Sequence, residues 1–381
     1  MEIPVCMNYI VKISSRCNLN CTYCYMYNKG DTTYLSKPKV MNKQIAYNSL
    51  KRIFEHLVKH GAAHVNICLH GGEPLLCGKE WLEWFFNKVE EMKPKKIKVN
   101  YSLQTNGVLL DDEWLSLLAS KKVQLGISLD GLPKAHNQNR VDHNGEGSYN
   151  RVIEGLNLVL RSKYKDFGVL VVANSDHSGE EIYNHLVGLG IKSMDFLWPF
   201  DNHDNRPNFK QSLASYYISI FDSWYEGNNP EIEIRWFDNI IRMIFSGHSK
   251  IDAIGPVSIN ETVIETDGSL EPLDSLRTSK EKMTRLGLNV LNNSIDDLIA
   301  TELYQLCLHN QDFLPQSCKT CSVYQYCGGG YIAQRWKSDT GFKNSNVHCN
   351  DLFEVISYIY NRVVSDLTRY NIPFQYSEVE T

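Results

Sequence analysis

Two groups of cysteines are spaced for metal ligation. Cys17, Cys21 and Cys24 form a Cys-x3-Cys-x2-Cys pattern just after the apolar run at 9–13. Cys318, Cys321 and Cys327 form Cys-x2-Cys-x5-Cys, followed by Gly328-Gly329-Gly330, with Cys349 further along. A structural zinc site asks for four protein ligands. Three thiolates on one loop suit instead a cubane [4Fe–4S] cluster with one iron left open. The C-terminal group satisfies either a second [4Fe–4S] cluster or structural zinc. Arg16, beside the first thiol, is expected to favour the thiolate form.

These thiols need elements to hold them. Strand patterns fall at 8–14, 64–69, 97–104, 123–128, 167–173 and 192–197. Helix patterns near 43–60, 79–92, 111–120, 147–162 and 178–188 lie between them. This alternation predicts an α/β fold with a parallel sheet and outer helices. Six such units are too few for a complete eight-fold barrel. In these folds ligands bind at the C-terminal strand ends. Polar and glycine-rich clusters fall there: His70-Gly71-Gly72-Glu73-Pro74, Gln104-Thr105-Asn106-Gly107, Ser128-Leu129-Asp130-Gly131 and Leu197-Trp198-Pro199. Each alone is ordinary turn chemistry. Together on one rim they read as a ligand site. The aromatic helix carrying Tyr216, Tyr217, Phe221, Trp224 and Tyr225 reads as core packing.

Composition narrows the class. The chain has 381 residues, 43% hydrophobic and 22% charged, as in ordinary globular enzymes. A net charge of −5 gives no reason to expect nucleic acid or a membrane surface as partner. No run of about 18 apolar residues would span a membrane, and the N-terminus lacks a signal-peptide pattern. Eleven cysteines without an export signal point to metal ligation in a reducing cytoplasm. Cys6, Cys68, Cys77 and Cys307 read as packing residues.

The cysteine loop, with Tyr23 before its last thiol, resembles the radical S-adenosylmethionine (radical SAM) superfamily. The resemblance implies a partial (β/α)6 radical SAM barrel over 1–235. It implies a C-terminal SPASM-like auxiliary-cluster domain over 236–349, with a closing helix and loose tail at 350–381. In that family the open iron binds SAM, which is cleaved to a 5′-deoxyadenosyl radical. Gly71, Gly72, Glu73 and Pro74 would hold the SAM amino group. Gln104, Thr105, Asn106, Ser128, Asp130 and Leu197 would contact its ribose or methionine portion. Arg140 is the candidate partner of its carboxylate, with His70 and His136 supporting from behind.

The C-terminal thiols resemble the ligand set of one SPASM cluster. A full SPASM domain ligates another cluster, partly through a Gly-x4-Cys element. Here Leu273 and Tyr331 stand where thiols would be. The expectation is therefore two [4Fe–4S] clusters, one SAM-binding and one auxiliary. Relatives that mature sulfatases place a catalytic Asp directly after the Cys of that element, which makes Asp274 a candidate proton acceptor; the other reading is a helix or turn cap.

Several stretches, among them 16–21, 70–76, 104–110, 265–274 and 327–331, resemble the FxsB family of cyclophane-forming peptide maturases. That resemblance implies abstraction of a Cβ hydrogen from a ribosomally made precursor peptide. Carbon–carbon bonding to an aromatic ring follows. An external electron donor such as flavodoxin or ferredoxin is implied as well. Thioether formation, epimerisation and sulfatase maturation use the same scaffold and stay open, as does a non-catalytic zinc- or cluster-binding protein. The peptide is expected to add as a strand to an exposed sheet edge.

Overall fold

The computed structural model describes residues 4–206 and 208–372. The chain runs β1 (Asn8–Ser14), α1 (Lys43–Lys59), β2 (His64–Gly71), α2 (Lys79–Met92), β3 (Lys98–Thr105), α3 (Asp112–Ser120) and β4 (Gln124–Ser128). It continues through α4 (Pro133–Asn139), α5 (Tyr149–Arg161), β5 (Phe167–Val172), α6 (Gly179–Gly188) and β6 (Ser193–Leu197). Then come α7 (Leu213–Gly227), β7 (Glu233–Ile234), α8 (Arg235–Ile244), β8 (Glu261–Ile264) and β9 (Leu270–Glu271). Short helical turns lead to the helix Cys349–Arg369. Of the closing helix and tail expected over 350–381, residues 373–381 lie outside the described residues.

The α/β class holds, with strand and helix alternating and neighbouring strands parallel. Helix starts follow local chemistry. The Asn42 side chain accepts from the Ile45 N–H and opens α1. Asp111 does the same for the Trp114 N–H at α3, each satisfying a donor the helix itself leaves unpaired.

The chain divides into two compact units. The first comprises Met1–Leu129, His136–Gly168 and Asn260–Leu308. Its strands run in the order β4-β3-β2-β1-β8-β9. β1 is enclosed on both faces, as parallel strands usually are. Tyr9, Val11 and Ile13 are buried on one face, and Lys12 and Ser14 are fully buried on the other. β8 pairs in parallel with β1, matching Asn8 to Glu261 and Val11 to Ile264. This delivers the hairpin after Ile264, with Glu265, beside the end of β1.

The second unit comprises Asp130–Ala135, Val169–Ile259 and His309–Thr381. Its strands run β5-β6-β7. Tyr216, Tyr217 and Phe221 of α7 are buried, and Tyr217 stacks on Trp198 with centroids 4.4 Å apart. The aromatic stripe is packing, as read from its spacing. Among the described residues no helix is long and apolar enough to cross a membrane.

Candidate metal and cofactor sites

Loop 17–24 leaves the C-terminal end of β1 and is tied down on two sides. On one side, the Gly72 N–H donates to the Ser14 carbonyl and the Glu73 N–H to the Arg16 carbonyl, both at 2.9 Å. This approach is so close that a Cβ on Gly72 would run into the Arg16 carbonyl and the Tyr27 hydroxyl. On the other side, segment 139–143 zips along the loop. Asn20 N–H donates to Val141 O at 2.7 Å, Thr22 N–H to Asn139 O at 2.9 Å, and His143 Nε2 meets Cys17 O at 3.0 Å. The three thiols are thereby held on one constrained turn, free of disulfides and half-buried. Burial, with help from neighbouring negative groups, pushes the Cys17 thiol up to about 12 and the Cys24 thiol up to about 11. Metal ligation, which needs thiolates, must offset that cost.

Glu73 is fully buried and knits strand ends together. One oxygen accepts from Leu75 N–H and Thr105 Oγ1, the other from Asn106 N–H, at 2.8–3.0 Å. Burial raises its carboxyl to about 7 despite these bonds. Pro74 opens the short helix Pro74–Cys77 that follows. Asn106 reaches back to the cysteine loop, donating to Asn18 Oδ1 at 2.7 Å and to Cys17 Sγ at 3.6 Å. Gln104 donates to Ser128 Oγ at 2.9 Å across the ends of β3 and β4. Arg140 places its guanidinium 5.4 Å from the centre of the Tyr23 ring. His136 steadies it: the ring meets Ser148 Oγ at 2.9 Å, and Ser148 donates to the Arg140 carbonyl at 2.7 Å. Tyr23, Gly71, Gly72, Glu73, Pro74, Thr105, Asn106 and Arg140 thus gather at the cysteine loop within the first unit. Asp130 and Leu197 belong to the second unit. There Asp130 accepts from the Val172 N–H at 3.0 Å, and Leu197 pairs with Val172.

One expectation is corrected. The Arg16 guanidinium turns away from the thiols to the Ser15 and Tyr34 carbonyls, at 3.0 and 2.7 Å. Positive charge reaches Cys24 from Arg140 instead.

A buried ionic network lies beside β1. Lys12 Nζ is 2.9 Å from Glu265 and 2.5 Å from Asp274. Arg277 bridges Glu265, Glu271 and Asp274 at 2.6–2.9 Å. Lys37 bridges Glu265 and Glu271 at 3.1 and 2.9 Å. Burial alone would raise Asp274, but Lys12 and Arg277 hold it well below the usual carboxylate range. Glu265 is likewise held down at about 2, burial being outweighed by Lys12, Arg277 and Lys37. Asp274 is the first residue of a short helical turn whose cap position is Leu273, and its carboxylate accepts from the side chains of Lys12, Tyr25 and Arg277. Its preceding residue, Leu273, is 4% exposed and packs as a core residue where a thiol would be expected. The network's cations escaped sequence reading. The available signal was a lysine inside the otherwise apolar run of β1.

The second unit carries Cys318, Cys321, Cys327 and Cys349, all free. Burial, together with charge on neighbouring thiols, raises Cys318 and Cys327, the latter to about 12. Arg335 is 1% exposed, and its charge favours the thiolate forms of Cys318 and Cys327. Burial pulls its guanidinium down to about 10, and Cys327 and Cys318 are the main groups pulling it back up. Tyr331 packs its ring on Phe200, with centroids 5.4 Å apart.

Residues 11–186 match the Radical SAM superfamily. The chain is 28% identical over 369 residues to a cysteine-type anaerobic sulfatase-maturating enzyme of Clostridium perfringens, covering 92% of this chain and 95% of that protein. Its fold is similar to that of native anSMEcpe with bound AdoMet, at 26% identity and a TM-score of 0.82, covering 95% of this chain and 99% of that one. It is also similar to native anSMEcpe with bound AdoMet and Cp18Cys peptide, at 27% identity and a TM-score of 0.79, with the same coverage. The chain therefore carries a radical SAM domain and is similar, over nearly its whole length, to anaerobic sulfatase-maturating enzymes.

Proposed function

We propose that this protein is a radical SAM maturase that takes a Cβ hydrogen from a Cys or Ser side chain of a peptide substrate, as an anaerobic sulfatase-maturating enzyme. The observation that carries the reading is the constrained loop 17–24, pinned by the Gly71–Gly72 approach and by Asn106, with Arg140 over Tyr23. The sulfatase-maturase likeness supports the substrate class.

The donor set fits the cofactors. Cys17, Cys21 and Cys24 would hold a [4Fe–4S] cluster, three thiols leaving one coordination position for SAM. When bound, cluster and SAM supply a 5′-deoxyadenosyl radical strong enough for an unactivated C–H bond. The chain's own residues do the rest. Segment 71–74 would present backbone to the SAM amino group, with Glu73 fixing that segment through its bonds to Leu75, Thr105 and Asn106. Arg140 offers a guanidinium fork to a carboxylate. Gln104, Thr105, Asn106 and Ser128 complete the first unit's assignment for the ribose and methionine portions. Cys318, Cys321, Cys327 and Cys349 would hold an auxiliary [4Fe–4S] cluster within a SPASM-like region over 236–349. An electron donor such as flavodoxin or ferredoxin is required.

The Cβ radical would give up one further electron and one proton to become a thioaldehyde, from which water displaces sulfide to leave the aldehyde. The electron would leave through the cluster that Cys318, Cys321, Cys327 and Cys349 would hold. Asp274 is the proposed acceptor of the proton. Its Oδ1 is tied to Lys12 and Arg277, whereas Oδ2 meets a neutral donor, the Tyr25 hydroxyl, at 2.6 Å. In Glu265, by contrast, both oxygens face cations.

A second reading is the cyclophane, in which the same carbon radical bonds to an aromatic ring carbon of the peptide, and the ring then loses one electron and one proton to regain aromaticity. The apolar Leu273 and the Tyr331 ring at thiol positions set this chain apart from a full SPASM pattern. The experiment is anaerobic turnover of a Cys-containing peptide with SAM and reductant. Under the first reading, a hydrazide probe labels a new aldehyde at the former Cys. Ring-bonded fragments without an aldehyde would move the assignment to the cyclophane. Release of neither product from a loaded enzyme would contradict both.

A further inference from the structure

Arg335 is a buried cation without a carboxylate. Among the described residues its partners are backbone carbonyls and one side-chain amide. Nε donates to Gly329 O at 3.0 Å and Nη1 to Asn310 O at 3.0 Å. Nη2 is shared by Gly328 O and Gly330 O, each at 3.0 Å, and by Asn310 Oδ1 at 3.2 Å. Burying a guanidinium costs several kcal/mol unless an anion lies near. Neutral carbonyls satisfy its hydrogen bonds but not its charge.

Three of these four carbonyls belong to consecutive glycines immediately after Cys327. All three glycines have positive φ, at 57°, 83° and 60°. A Cβ on Gly328 would strike the Gly255 carbonyl, and one on Gly329 would press on the guanidinium itself. The loop is thus wrapped around Arg335. The same loop aims at the metal site: the Gly329 N–H bonds Cys327, and the Gly330 N–H donates to the Cys327 carbonyl at 3.0 Å.

We propose that Arg335 is the built-in counter-ion of the auxiliary cluster, fixing the Cys327 loop and raising the reduction potential of the cluster its four thiolates hold. The inference rests on the assignment of an auxiliary [4Fe–4S] cluster to Cys318, Cys321, Cys327 and Cys349. Four thiolates and the cluster core together are anionic, and reduction adds one more negative charge. A fixed cation nearby therefore stabilises the reduced form more than the oxidised one. Supporting groups outside the ligand set commonly tune metal sites in this way. Arg335 acts through the ligand loop and the local field; it is a positioning residue.

The test uses the full chain with Cys17, Cys21 and Cys24 replaced by Ala, so that any remaining cluster is the C-terminal one. Iron, sulfide and zinc are measured, and the midpoint potential is read by EPR-monitored redox titration, for Arg335 and for R335K and R335Q. The expected result is a cluster in all three, a lower potential in R335Q, and a potential near that of the parent in R335K. The gain in Tm on cluster loading should also shrink in R335Q; a merely structural arginine would lower the Tm of the empty and loaded forms alike. Equal potentials in R335Q and the parent would overturn the counter-ion role while leaving the cluster assignment standing. If R335Q takes up no cluster, R335K decides: a near-parental potential supports the proposal, and a lowered potential or lost cluster overturns it. Zinc, or no iron, in the parent would overturn both the assignment and the inference.

Discussion

Asp274 stands between Lys12 and Tyr25. One carboxylate oxygen accepts from the Lys12 ammonium at 2.5 Å, and the other accepts from the Tyr25 hydroxyl at 2.6 Å. Tyr25 directly follows Cys24, so this hydrogen bond joins the cysteine loop to the segment after β9. Replacing Asp274 by Asn keeps the shape and removes the basic oxygen. Release of 5′-deoxyadenosine should persist, while modified peptide falls by about 10²–10⁴, as for loss of a general base. Modified peptide at the parental level would remove Asp274 from the chemistry.

Glu265 should behave differently, as a structural carboxylate. Glu265→Gln leaves Lys12, Lys37 and Arg277 short of a buried counter-charge, a defect worth about 3–5 kcal/mol. Chemical denaturation should show that loss, and the acid limb of the stability curve should flatten. Its carboxyl titrates near 2 when folded against an ordinary value of 4.5. The folded chain therefore binds fewer protons between those values. The stability Glu265 contributes is present above about 4.5 and is lost as pH falls towards 2. An unchanged acid limb in Glu265→Gln would contradict the network's role.

Gly72→Ala tests the pinning of the cysteine loop. The added methyl meets the Arg16 carbonyl and the Tyr27 hydroxyl. Moving Tyr27 alone cannot relieve the first clash, because the Arg16 carbonyl is backbone. Iron bound at the N-terminal thiols should drop, while the C-terminal site keeps its metal. Full N-terminal iron in Gly72→Ala would show that the close approach is dispensable.

Cluster number is the next check. Anaerobically reconstituted protein should hold about eight irons, from two four-iron clusters. A content near twelve, with matching sulfide, would mean that another cluster forms despite Leu273 and Tyr331.

The βα frame was legible because β1 to β6 and their helices carry clear apolar periodicity; strand 8–14 and helix 79–92 were placed to the residue. The cysteine loop was read from its spacing together with the polar clusters at the strand ends downstream, since spacing alone does not exclude scattered core cysteines. β8 was not, because four residues carry too little pattern to separate a strand from a loop. Nor were the partners of Glu73, whose bonds to Thr105 and Asn106 span more than thirty positions of sequence. The roles of Lys12 and Arg335 depend on what faces them across the fold. A buried lysine or arginine reads in sequence like any exposed one until its neighbours are placed.

Radical abstraction from a peptide side chain is tested by isotope transfer. A substrate peptide deuterated at Cβ of its target Cys is turned over anaerobically with SAM and reductant, and the 5′-deoxyadenosine released is analysed by mass spectrometry. Deuterium should appear in 5′-deoxyadenosine in step with modified peptide, and should be absent when Cys17, Cys21 and Cys24 are replaced by Ala. Modified peptide formed with no deuterium in 5′-deoxyadenosine would contradict the abstraction.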